Sequence, residues 1–309
     1  MKTACIGEAM VELSLKAGQS EANIGFAGDT LNTAAYLQRT LEDNGVDGEH
    51  SVSFVTALGT DSFSQQIVAL IESENISAQS VRYCSDRVPG LYAINTDDAG
   101  ERTFTYWRDQ SAARTLFTKE TGPEFNELLD FDLIYYSAIS LAIMPEVIKT
   151  QWLEFLEHYR TLPGKKVAFD SNYRPKLWAS TEQAQQFIKA AYLQCDIALP
   201  SVDDEMAAFT ETSKNDVLSR LASYGINCGV LKCGAQGPVD LANVGTVFDL
   251  PLARKVVDST AAGDSFNGAY LAGVMSQKSP SESIAQGHAC AMRVIGHRGA
   301  IVERKIWNS

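Results

Sequence analysis

Apolar and polar positions follow two different regimes along this chain. From residue 131 onward, apolar runs at 132–137, 166–170, 196–200 and 228–233 alternate with stretches of helical period at 145–160, 181–194, 203–210 and 214–224. Short continuous apolar runs suit strands buried on both faces, and their alternation with helices predicts βαβ units in a parallel sheet. Residues 3–7 and 51–58 add two more buried strands. A helix predicted over 28–41 carries Leu31, Ala34, Ala35, Tyr36 and Leu37 close to helical spacing. Another begins at Asp61 or Ser62, an N-cap signal, and shows Phe63, Ile67, Leu70 and Ile71 on one face. Helices over 265–277 and 281–296 close the chain.

The second regime is β-rich. Residues 8–27 lack a helical period and mix polar residues with glycines, while 88–96 and 102–108 flank the turn signal Asp97-Asp98-Ala99-Gly100 and predict a hairpin. That hairpin carries more aromatic and charged side chains than a core strand would. A second small hairpin is expected over 238–249, turning at Ala242-Asn243-Val244-Gly245. No repeat, low-complexity segment or linker interrupts the chain. The pattern predicts one α/β domain over 1–309 with a small β lid formed by about 8–27 and 88–110. Open α/β sheets bind ligands at the carboxyl ends of their strands, so a lid belongs over that end.

Composition narrows the partners. At 309 residues and 45% hydrophobic content the chain can bury a large core. No apolar run approaches the ~20 residues of a membrane helix, and Glu8 comes too early for a secretory leader. A formal net charge of −12 argues against nucleic acid and anionic membranes. A small anionic ligand stays open, because a few arginines in a pocket override the global field. Six scattered cysteines form no C-x-x-C pair, and four histidines form no H-x-x-x-H pair. A reducing cytoplasm without a zinc site is the expectation.

The candidate chemistry centres on Asp258-Ser259-Thr260-Ala261-Ala262-Gly263-Asp264-Ser265-Phe266-Asn267-Gly268. Ala261, Ala262 and Gly263 let a ligand approach the backbone, and the N–H groups opening the next helix make an anion site. An aspartate at 264 would repel a resident anion, but it suits a base facing an alcohol that attacks a phosphoryl group. A plain first-turn cap is the alternative role. Near the start, Gly28 frees the backbone while Asp29 and Asn32 project from the first turn of a helix. Lys232-Cys233-Gly234-Ala235-Gln236-Gly237 follows an apolar strand, and Gly234 and Gly237 permit tight approach to phosphate or ribose. Gly164-Lys165-Lys166 does not make a Walker A loop, and no G-x-G-x-x-G is present. Gly263-Asp264-Ser265-Phe266 invites a GDSL-esterase reading with Ser265 as nucleophile. It fails, because the block is late and no aspartate follows Asp264.

Taken together, Gly28-Asp29-Thr30-Leu31-Asn32 and Asp258 to Phe266 resemble the two signatures of ribokinase-like sugar kinases of the phosphofructokinase-B type. Ala261 and Ala27 stand where the family often has glycine. The resemblance covers essentially the whole chain and implies a three-layer α/β/α fold with a mainly parallel sheet. Gly90-Leu91-Tyr92, Phe104 to Arg108, Asp170 to Pro175 and Thr56 to Gln66 are similar to the branch that phosphorylates 2-keto-3-deoxygluconate at its 6-hydroxyl. A carboxylate substrate gives a reason for two arginines in a pocket, since it suits a guanidinium fork. The resemblance implies Asp264 as general base, with backbone N–H groups of Ala261, Ala262, Gly263 and Asp264 as the anion hole. Gly28, Asp29, Asn32, Tyr92, Tyr106, Arg108 and Arg174 would bind the sugar acid. Asn172, Arg174, Lys232, Gly234, Gly237, Ala261 and Gly263 would line the ATP site. Magnesium and a monovalent cation are implied with ATP. The family's N-x-x-E is replaced by Val202-Asp203-Asp204-Glu205, which leaves Glu205 either a metal-linked residue or a first-turn helix acid. A homodimer through the lid is also implied. A fructokinase-like relative and an inactive sugar-acid-binding regulator are the alternatives.

Overall fold

The computed structural model describes residues 1–15, 21–46, 51–96, 102–253 and 255–308. Its centre is a parallel sheet of β1 (Lys2–Ile6), β4 (Ser51–Leu58), β5 (Val81–Tyr83), β8 (Leu133–Ser137), β9 (Lys166–Asp170) and β10 (Ile197–Ala198), in the order β10-β9-β8-β1-β4-β5. Alternate residues of these strands enter two cores. Ala4, Ile6, Ile134, Tyr136, Val167 and Phe169 share one, while Cys5, Leu133, Tyr135 and Ala168 share the other. This two-sided burial explains the uninterrupted apolar runs.

Against the first core pack α3 (Ala138–Ile143), α4 (Glu146–Tyr159), α5 (Thr181–Leu193), α6 (Val202–Phe209) and α7 (Lys214–Ser223). Against the second pack α1 (Asp29–Asp43), α2 (Ser62–Ser73), α8 (Ala262–Met275) and α9 (Pro280–Val294). The short α10 (Arg304–Trp307) lays Trp307 beside Tyr36 of α1. Helix starts follow local chemistry. Asp61 caps α2 by accepting from the Phe63 and Ser64 N–H groups at 2.9 and 3.1 Å, and Ser279 with Glu282 forms a capping box before α9.

The β-rich regime becomes a separate four-stranded sheet, β2 (Met10–Leu15), β3 (Ala22–Ala27), β6 (Gly90–Thr96) and β7 (Arg102–Trp107), in the order β3-β2-β6-β7. The turn expected at Asp97 to Gly100 lies outside the described residues. The expected hairpin over 238–249 is not formed. Instead β12 (Pro238–Asp240) folds back antiparallel on β11 (Val230–Lys232), with the turn at Cys233 to Gly237, and 241–250 form no strand. The reversal falls earlier, where Gly234 and Gly237 take positive φ (53° and 83°), and not at Ala242 to Gly245.

Candidate active site

Polar residues at the carboxyl ends of β8, β9 and β11 meet the amino ends of α1 and α8. Asp29 opens α1 and accepts hydrogen bonds from the Ser137 hydroxyl and, at 2.9 Å, from Asn172 Nδ2. One turn on, Asn32 Nδ2 donates to Asp264 Oδ2 at 2.8 Å. The tie joins the two stretches singled out at opposite ends of the sequence. Gly28 is held by packing: a Cβ there would lie 2.0 Å from the Glu8 carbonyl oxygen. Its φ of −178° is ordinary extended backbone, so close approach is what requires glycine.

Beneath them lies a second layer. Lys232 Nζ contacts Asp170 Oδ2 and Asn267 Oδ1, each at 3.0 Å. Asn267 Nδ2 in turn donates to Asp170 Oδ2 at 2.6 Å and to the Tyr135 hydroxyl at 3.1 Å. Asp170 contacts Lys232 and Asp264 lies within its field, while the cation that acts on Asp29 is Arg108. Burial pushes the Asp264 carboxyl up to about 8, and the nearby Asp29 and Asp170 charges add to this, while the Asn32 hydrogen bond and Lys232 oppose it. The Asp29 carboxyl is also raised, first by burial.

Helix α8 starts three residues earlier than its pattern suggests, at Ala262, with Ala261 as N-cap in the left-handed region (φ 59°, ψ 17°). A residue with a Cβ costs about 1–2 kcal/mol there, so this turn is strained where glycine would be relaxed. The Ala262 N–H donates to Ser259 O at 3.2 Å. Of the expected anion hole, Ala262 is thus engaged, while the first-turn N–H groups of Gly263 and Asp264 have no intrahelical acceptor. Asp258 braces the loop by accepting from the Thr260 and Gly299 N–H groups, both at 2.9 Å.

The four-stranded sheet contributes Tyr92, and Arg108 follows its last strand. Arg108 is buried and pairs through Nη2 with the Glu8 carboxylate, and its charge reaches Asp29. The Tyr92 hydroxyl donates to Glu12. Tyr106 stacks near Tyr92, with ring centroids 5.8 Å apart, and stays exposed. Arg174 does not join Arg108. Its side chain is half exposed and turned to the Tyr173 carbonyl at 2.7 Å and to Asp204 at 3.1 Å. Asp204 itself lies within the field of Asp170 and Lys232, so Arg174 stands at the rim of the same cleft. Gly234 opens a one-turn 3₁₀ helix (Gly234–Gln236) two residues after Lys232, and Gly237 follows it.

Glu205, left open between a metal-linked residue and a first-turn helix acid, is bonded to a guanidinium. Fully buried, it accepts from the Tyr192 hydroxyl and, at 2.7 Å, from Arg220 Nη2, which also holds Glu211 at 2.9 Å. α6 turns it inward, toward α5 and α7. Among the described residues no three His, Cys, Asp or Glu side chains gather to hold a metal ion. Sequence reasoning did not single out Asp170, Ser137, Asn267 or Glu8. For Asp170 and Ser137 a signal existed, a polar residue ending an otherwise apolar parallel strand.

Fold and site together define an α/β phosphotransferase. The chain belongs to the pfkB family of carbohydrate kinases, whose family model matches residues 1–306. It is 42% identical over 311 residues to the 2-dehydro-3-deoxygluconokinase of Escherichia coli (strain K12), covering 98% of each chain. To the 2-dehydro-3-deoxygluconokinase of Dickeya dadantii (strain 3937) it is 40% identical over 304 residues, covering 97% of this chain and 96% of that one. The solved structure of aminoimidazole riboside kinase from Salmonella enterica, complexed with aminoimidazole riboside and an ATP analog, matches with a TM-score of 0.81 at 21% identity, over 100% of this chain and 99% of that one. That of 2-dehydro-3-deoxygluconokinase from Thermotoga maritima matches with a TM-score of 0.78 at 17% identity, over 100% and 98%. At these structural identities the likeness is one of fold, and it is the ribokinase-like fold expected from the sequence. Among the described residues no helix is long and apolar enough to cross a membrane.

Proposed function

We propose that the protein transfers the γ-phosphoryl group of ATP to the 6-hydroxyl of 2-keto-3-deoxy-D-gluconate, as the names of its 40–42% identical relatives suggest. The observation that carries this reading is Asp264. It is a carboxylate of raised proton affinity, hydrogen-bonded to Asn32 at 2.8 Å, in the first turn of a helix whose amino end suits an anion. A carboxylate pushed up to about 8 is a stronger base than an ordinary aspartate and accepts the hydroxyl proton as the oxygen attacks phosphorus in line. The Gly263 and Asp264 N–H groups face the charge that develops on the transferred phosphoryl. Asp29 and Asn32 orient the sugar hydroxyls. Arg108, buried and within the field of Asp29, receives the substrate carboxylate, with Tyr92 and Tyr106 beside it and Arg174 at the rim.

The turn at Gly234 to Gly237 and residues Asn172 and Lys232 border the nucleotide. With Glu205 held by Arg220 and no acidic cage among the described residues, the chain suits magnesium carried by the nucleotide phosphates through water, where the ion neutralises phosphate charge. We assign no residue to a monovalent cation. The lid exposes Ile24 and Trp107 at 57% and 59%, which supports a homodimer through that sheet, and a cytoplasmic location fits six free cysteines.

A coupled assay with Mg-ATP and a panel of 2-keto-3-deoxygluconate, fructose and ribose tests the reading. Turnover on the sugar acid at least tenfold above either neutral sugar is expected, and Arg108→Ala should reduce it selectively. Preference for fructose would make the protein a fructokinase. Absence of ATP consumption with every substrate would make it a binding protein.

A further inference from the structure

The pocket proposed for an acid contains two glutamates where Coulomb repulsion argues against any. Glu8 lies between β1 and β2, where the core sheet passes into the lid, and only 1% of it is exposed. Its Oε2 pairs with Arg108 Nη2, yet its Oε1 and Arg108 Nε are both buried without a hydrogen-bond partner. The neighbouring backbone is shaped around the pair. A Cβ on Gly90 would lie 2.7 Å from Glu8 Oε1 and 3.1 Å from the Arg108 Cβ. A buried, incompletely bonded pair is a poor stabiliser, because desolvation offsets its attraction. Its retention at the mouth of the site calls for another role.

We propose that Glu8 is a positioning residue that fixes the Arg108 guanidinium for the carboxylate of the substrate. The proposal rests on Arg108 receiving that carboxylate. One carboxylate grips a single Nη of the fork, leaving the Nη1 N–H groups for a second. Without Glu8 a long, rotamer-rich side chain must be ordered by the substrate itself, and that cost appears in KM. The neighbouring Glu12–Tyr92 pair follows the same design, a lid-strand carboxylate holding a side chain of the facing hairpin.

Glu8→Gln, Arg108→Ala and the double variant, assayed with Mg-ATP and 2-keto-3-deoxygluconate, test this. Glu8→Gln should raise KM for the sugar acid about tenfold, with kcat within about threefold and KM for ATP unchanged. The double variant should be no worse than Arg108→Ala alone, because Glu8 acts through Arg108. Electrostatics alone predicts the opposite sign, since removing a negative charge would lower KM for an acid. A lowered or unchanged KM in Glu8→Gln, with Arg108→Ala impaired, overturns the proposal, as does full additivity in the double variant. Unchanged KM in Arg108→Ala overturns the acid-pocket reading instead. If Glu8→Gln does not fold, Gly90→Ala displaces the same carboxylate with both charges kept. It should raise KM for the sugar acid, and an unchanged value overturns the proposal.

Discussion

Two kinds of carboxylate cluster in this molecule are built on opposite principles. Glu205 and Glu211 meet Arg220, and in the other helical layer Glu42 and Glu74 meet Arg39 and Arg304, each acid bonded to a guanidinium. At the carboxyl end of the sheet, Asp170 and Asp264 share Lys232, Asp29 lies within the field of Arg108, and the three otherwise rely on Ser137, Asn32, Asn172 and Asn267. The first arrangement neutralises charge and serves the fold. Burial raises the proton affinity of Glu205 as well as of Asp29 and Asp264, so the partner is what separates them: a guanidinium bonds Glu205, while the like charges of Asp29 and Asp170 push Asp264 further up, which suits a base. An acidic residue in a helix's first turn is thus uninformative until its partner is known, and Glu205 and Asp264 fall on opposite sides.

The contrast breaks if Glu205 serves catalysis. Glu205→Gln should lower stability by about 2–4 kcal/mol, read by denaturant unfolding, with the magnesium dependence of turnover unchanged. Increased magnesium demand in a folded variant would return Glu205 to the site. Asp264→Asn should act in the other direction. Its raised carboxyl binds more protons folded than unfolded between the ordinary carboxylate range and about 8, so stability falls as pH rises through that window. Removing the charge should therefore stabilise by about 1–2 kcal/mol at pH 8, with the gain fading toward pH 4. Equal stabilisation at both pH values would mean that the carboxyl is not raised.

Smaller effects sharpen the picture. The kcat/KM profile should rise toward alkaline pH with a limb near 8, and Asp29→Asn, by removing a like charge, should move that limb down by about one unit. A limb that stays in place would remove Asp29 from the field at the base. Ala261→Gly should relieve the left-handed turn and gain about 0.5–1 kcal/mol in thermal unfolding. A loss of stability would show that the αL alanine is not strained.

Much of this was legible in the sequence. The parallel sheet followed from apolar runs, because burial on both faces leaves no polar alternation to misread. Asp264 and Asn32 were each singled out from small residues before a helix, although 232 positions separate the partners. What escaped depends on side-chain direction. Glu205 turns inward to Arg220, fifteen residues away and on another helix. Arg174 turns to Asp204 at the rim. Glu8 carried no motif, only a position just beyond a strand end. The displaced hairpin after Lys232 reflects competition between two glycine-bearing turns, and the earlier one formed.

The central claim is that Asp264 is the base of phosphoryl transfer, and turnover of Asp264→Asn alongside calorimetric binding of the sugar acid tests it most directly. A loss of about 10²–10⁴ in kcat with the fold and substrate binding retained is the predicted result. Wild-type kcat in the folded variant would contradict it.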